Sequence, residues 1–84
     1  MYTGVQWTGT LGPGASNRWF TWGWNAGSHV VWYMMPTTVR NGSPSLNWDV
    51  EVERADATAC TYWITVKNLA PISVTFEGRY AVLS

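Results

Sequence analysis

Three carboxylates at two-residue spacing, Asp49, Glu51 and Glu53, are the densest set of chemistry-bearing side chains in the 84-residue chain. On an extended strand they project to one side about 7 Å apart, which suits a calcium site or a glycosidase acid pair. Calcium sites, however, draw most of their ligands from loops, and a hydrolase needs an acid of raised pKa in a dry cleft. Carboxylates on a wet strand face more commonly keep a sheet soluble and its edge unpaired. Ser28 beside His29 has the residue types of a nucleophile and base, but strand neighbours point to opposite faces. One histidine and one cysteine, Cys60, cannot supply the ligand set of a zinc site. Gly12-Pro13-Gly14 lacks the later glycine and the strand-to-helix setting of a nucleotide-binding loop, and no Gly-Lys-Ser/Thr occurs. Asn41-Gly42-Ser43 matches a glycosylation sequon and, with Pro44 next, reads as turn chemistry. The polar inventory therefore points away from an enzyme, a metal and a cofactor.

The tryptophans remain. Seven occur in the chain, aromatics make up 15% of it, and charged residues only 12%. Five basic residues cancel five acidic ones and are scattered singly, so no clustered footprint exists for nucleic acid. The same lack of cations counts against a membrane-surface role, although Trp and Tyr are good interfacial anchors. A near-zero net charge offers little repulsion between copies, and homo-oligomers are expected. The first residues lack a basic segment followed by an apolar run, so no signal peptide is visible and no stretch reaches transmembrane length. The reading is a soluble protein, and the unpaired Cys60 favours a reducing, cytoplasmic setting.

The elements that position these side chains are strands. Hydrophobic residues recur with period two, and 21 β-branched residues (ten Thr, nine Val, two Ile) join the aromatics in suiting a pleated surface. In Leu46–Glu53, Leu46, Trp48, Val50 and Val52 alternate with Asn47, Asp49, Glu51 and Glu53, one dry side against one wet. Thr3, Val5 and Trp7 alternate with Gly4, Gln6 and Thr8 in a first strand. A second, Ser16–Trp24, sets Arg18, Phe20, Trp22 and Trp24 against Trp19, Thr21 and Gly23. Asn25-Ala26-Gly27 predicts a hairpin into His29–Met35, which is apolar on both faces, as in a central strand or one at a subunit interface. Cys60–Lys67 points Tyr62, Ile64 and Val66 inward and leaves Thr61, Trp63, Thr65 and Lys67 outside. A last strand carries Ile72, Val74, Phe76, Tyr80 and Val82 on one face, with Gly78 as the place for a bulge. Six strands joined by short turns predict a single-domain (1–84) antiparallel β-sandwich, with a small closed β-barrel as the alternative.

Alternation then places large aromatics on outer faces whichever way the second strand turns: Trp19 on one choice, Phe20, Trp22 and Trp24 on the other. Exposed Trp patches mark binding surfaces, and a flat indole suits the C–H side of a pyranose while polar neighbours take its hydroxyls. A carbohydrate site built from Trp19, Trp32 and Trp63, with Asn17, Asn47, Asp49 and Glu51 nearby, is the leading expectation. This small, tryptophan-rich all-β character is similar to that of many lectins and carbohydrate-binding modules. The competing expectation is a self-associating assembly domain whose aromatics form the interface between copies.

Overall fold

A computed structural model describes residues 1–83. Its strands are β1 (Tyr2–Leu11), β2 (Ser16–Asn25), β3 (Val30–Pro36), β4 (Leu46–Arg54), β5 (Ala59–Asn68) and β6 (Val74–Val82). They form two antiparallel three-stranded sheets, ordered β1-β6-β3 and β2-β5-β4, which do not close into a barrel. The β-sandwich expectation holds and the barrel alternative is set aside.

Only β4 and β5 are neighbours both in the chain and in a sheet; every other connection passes from one sheet to the other. The hairpin expected between β2 and β3 is therefore absent. A primed two-residue turn needs positive φ, and among the described residues only Gly14, Gly23 and Gly42 adopt it. Instead the Gly27 amide donates to Asn25 Oδ1 (2.8 Å), the Ser28 amide to the Asn25 carbonyl (3.1 Å), and the Ala26 amide to the Thr58 carbonyl (2.9 Å). This wider turn carries the chain across the sandwich. β3 is an edge strand, which overturns the central position, one of the two its sequence allowed beside a place at a subunit interface; the centre of that sheet is β6.

Two bulges reorganise the alternation. The β1 register shifts between Val5 and Trp7, so Trp7 joins Gly9 and Leu11 on the inner face while Val5 is exposed. In β2 the shift lies between Thr21 and Trp24, with Gly23 at φ 80°, and Trp24 turns inward with Trp19 and Thr21. Each extra residue inverts the facing of everything beyond it.

Gly78 makes no bulge. It sits in unbroken register opposite Met34, while on its other side it faces Trp7 at the step where the extra residue belongs to β1, and a Cβ there would run into the Trp7 ring. The pattern repeats along β1 and β6. Gly4 pairs with Tyr80, Gly78 with Trp7, and Gly9 with Phe76, each glycine lying under the ring opposite it. An absent side chain on one strand makes room for a large one on its neighbour, an arrangement that also pins register.

Leu11, Trp32, Met34, Ile64, Val66 and Phe76 form the buried core, ringed by Trp7, Trp19, Trp24, Trp48, Tyr62 and Tyr80. The rings meet edge to face or tilted, as between Trp24 and Trp32 (5.1 Å, 81°) and between Trp19 and Phe76 (5.5 Å, 77°). The Nε1 atoms of Trp7 and Trp32 are buried with no protein group in hydrogen-bond reach. Buried Asn68 is fully satisfied. Its Nδ2 donates to the carbonyls of Leu11, Gly12 and Ile72, and its Oδ1 accepts from the Ala70 amide, which ties the β1–β2 turn to the β5–β6 turn.

The inward set expected for β5, Tyr62, Ile64 and Val66, is found as read. The dry face of β4 is dry only at one end. Leu46 and Trp48 pack on the core, but Val50 and Val52 lie uncovered at 42% and 64% exposure.

Candidate functional site

Two aromatic surfaces meet on β2. The first is the outer face of sheet β2-β5-β4, where the register aligns Phe20, Trp63 and Glu51 in one row and Arg18, Thr65 and Asp49 in the next. Phe20 stacks on Trp63 with centroids 5.0 Å apart at 28°. The Arg18 guanidinium lies 4.7 Å from the Trp63 centroid and its Nη2 is 2.8 Å from Glu51 Oε1. Trp63 Nε1 donates to Glu53 Oε1 at 2.8 Å. Both ion-pair side chains are more than half exposed, so the pair contributes at most about 1 kcal/mol. Its structural effect is larger: the Trp63 ring and its N–H are already engaged by Phe20, Arg18 and Glu53.

The residues expected to form one site are divided by this geometry. Trp63, Asn47, Asp49 and Glu51 do share the outer face. Trp32 does not, being buried at 6% exposure in the core. Trp19 turns inward against Trp7 (5.7 Å) and Phe76. Asn17 belongs to the same side of β2 as Trp19, opposite Val66, and its Oδ1 accepts from the Arg18 amide. Trp19, opposite inward Ile64, and Trp32, on the side of β3 shared with Met34, fill the space between the two sheets. Among the described residues, no group of three or more His, Cys, Asp or Glu side chains is placed to hold a metal ion.

The second surface is the seam where the bulged edges of β1 and β2 face each other. An open groove of about 430 Å³ is lined there by Gln6, Trp7, Trp19, Phe20, Thr21 and Trp22. A second of about 390 Å³ adjoins it, sharing Gln6, Thr21 and Trp22 and adding Tyr2, Trp24, Asn25 and Ser28 among others. Trp22 stands between them, 75% exposed, with Phe20 beside it at 58%. A bulge re-aims side chains locally, and the β2 bulge separates Trp22, left outside, from Trp24, turned in. Thr21 Oγ1 holds the two strands at this point, accepting from Gln6 Nε2 (3.2 Å) and from Trp24 Nε1 (3.0 Å).

The most exposed ring is thus Trp22, which the sequence offered only as one branch of an unresolved choice, and Gln6, Thr21, Asn25 and Ser28 were not foreseen as its neighbours. A signal was present. A glycine between two tryptophans in a strand marks a bulge, the inference drawn instead at Gly78. No family model, curated protein or solved structure matches the chain. Its functional reading rests on this geometry. Among the described residues, no helix is long and apolar enough to cross a membrane.

Proposed function

We propose that the chain is a non-enzymatic, lectin-like carbohydrate-binding module whose sugar platform is Trp22 at the bulged seam. The observation that carries this is the indole of Trp22, three-quarters exposed between two shallow grooves with Gln6, Asn25 and Ser28 at their margins. Holding a ring of that size in water is unfavourable unless a ligand covers it. A pyranose offers a matching flat C–H face, and uncharged amides and hydroxyls are suited to its hydroxyl groups. None of the groove residues is a carboxylate, histidine, lysine or cysteine, so the hydroxyls of Tyr2, Thr21 and Ser28 have no base among the groove's lining residues to activate them. The test is a glycan-array screen of wild type beside Trp22→Ala. Because Trp22 is a surface residue, the variant should keep its stability to within about 0.5 kcal/mol. Its affinity for any bound glycan should fall at least about ten-fold, equivalent to 1.4 kcal/mol. Retention of full binding would refute the assignment to Trp22, and silence of the wild type across the array would refute the carbohydrate reading.

A second reading, self-association into a homo-oligomer, has its own observation in β3. Edges are normally guarded by bulges or charge. β1 and β2 carry bulges and β4 carries Asp49, Glu51 and Glu53, whereas β3 pairs with β6 without a register shift and has no charged residue. Its outer side exposes Val31, Tyr33 and Met35 at 49%, 37% and 37%. Pairing of β3 with its copy would extend the sheet through the open edge of its backbone and set these side chains beside those of the copy. Native mass spectrometry is expected to show multiples of the 9.4 kDa chain that collapse to monomer in Val31→Lys. A monomeric wild type at every concentration would dismiss this reading.

A further inference from the structure

We infer that the ligand of the seam is an uncharged oligosaccharide of at least two sugar units, an inference that rests on the carbohydrate reading above. Charge is the first argument. No described residue lining either groove is charged, and β1 carries no charged residue at all. The single cation on β2, Arg18, is committed to Glu51 at 2.8 Å and lies over Trp63. A uronate or sulfate resting on these rings would lose hydration without gaining a counter-charge, a costly exchange. The adjoining outer face sets Asp49, Glu51 and Glu53 against Arg18 and Lys67, a small negative excess that also disfavours anions.

Extent is the second argument. The grooves share Gln6, Thr21 and Trp22, so they are two ends of one trough with the exposed indole at its middle. One end is completed by Phe20 and Trp19, the other by Trp24, Asn25 and Ser28. A monosaccharide stacked on Trp22 engages the junction and leaves both ends unfilled, whereas a chain of sugars running through it reaches the ring of Phe20 on one side and the amide of Asn25 on the other. Asn25 Oδ1 is occupied by the Gly27 amide (2.8 Å), which leaves its NH2 as the donor to a sugar hydroxyl. Thr21 Oγ1, already accepting from Gln6 and Trp24, fixes the floor of the trough and is not a recognition group.

The experiment titrates wild-type protein, by calorimetry, with mono-, di- and trisaccharides of neutral hexoses and N-acetylhexosamines, and with uronate and sulfated oligomers of matched length, at low and high salt. Affinity should rise at least about ten-fold from the best monosaccharide to its trimer, be insensitive to salt, and exceed that of the anionic counterparts by about ten-fold or more. Phe20→Ala and Asn25→Ala, at opposite ends, should each weaken the trimer while leaving the monosaccharide unchanged. Phe20 lies on the surface and serves alone if Asn25→Ala disturbs its turn. Preference for an anionic oligomer, or equal affinity for monomer and trimer, would overturn this inference and leave the carbohydrate reading standing. No heat with any sugar would overturn the reading beneath it.

Discussion

Substituting Gly78 by alanine tests whether the glycine and aromatic pairs of β1 and β6 hold the sandwich together. A Cβ at this buried position would lie 2.4, 2.5 and 2.6 Å from Cζ3, Cε3 and Cη2 of Trp7. Carbon atoms prefer about 3.5–4.0 Å, so the indole must retreat by roughly 1 Å or more. It cannot do so freely, because Trp19, Trp32 and Phe76 surround it with centroids at 5.7, 6.3 and 6.2 Å. Overpacking of this kind costs about 1–3 kcal/mol, while the lost flexibility of the unfolded chain returns about 0.4–1 kcal/mol. The net expectation is destabilisation by about 1–2 kcal/mol, which lowers the melting temperature of a domain this size by roughly 4–16 °C. Thermal melts followed by near-ultraviolet circular dichroism read this directly. Gly12→Ala is the matched control, since a Cβ there meets nothing within 4 Å and the backbone is not in the positive-φ region. It should melt at or slightly above wild type. If Gly78→Ala melts with wild type, Trp7 is not confined as described and the explanation of register through these pairs fails.

Asn68→Ala should cost at least about 3 kcal/mol in denaturant titrations, since it strands the buried amide of Ala70 and removes the donor shared by three carbonyls. Asp56 Oδ1 accepts from the amides of Thr58 and Ala59 and from the Thr58 hydroxyl, and these bonds hold its pKa below the ordinary 3.8. A lowered folded-state pKa stabilises above the unfolded value and is lost as pH falls through the folded one. Asp56→Asn should therefore flatten the acid limb of a stability–pH profile below about pH 4, and an unchanged limb would contradict the role given to this turn.

How much was legible depends on whether a strand keeps its count. β4 and β5 pair through nine consecutive positions without a shift, and there Trp63, Thr65 and the three carboxylates lie outward as their alternation indicated. β1 and β2 each gain one residue at a bulge, which changes no side-chain chemistry yet reverses the facing of Trp7 and Trp24. Which rings of a tryptophan-rich chain stay outside is not encoded by residue type, because all seven indoles favour burial alike and only the backbone decides which of them are enclosed. Trp32 and Trp22 are chemically identical, and only the side of β3 that faces the opposing sheet and the bulge of β2 send them to opposite environments. The uncovered ends of β4, Val50 and Val52, were hidden for a related reason: alternation tells which side a residue faces, not how far the opposing sheet extends.

The pairing of Tyr2 with Val82 has a kinetic meaning. β1 and β3 hydrogen-bond only through β6, so sheet β1-β6-β3 cannot begin to assemble until nearly the whole length from Tyr2 to Val82 has left the ribosome. Loops this long close slowly, and topologies dominated by distant pairings fold on the slow side of the range for small domains. Through that interval Trp7 and Trp32 lack the strand that will hold them side by side in one sheet. The hairpin of β4 and β5, adjacent in the chain, has by contrast the shortest loop to close.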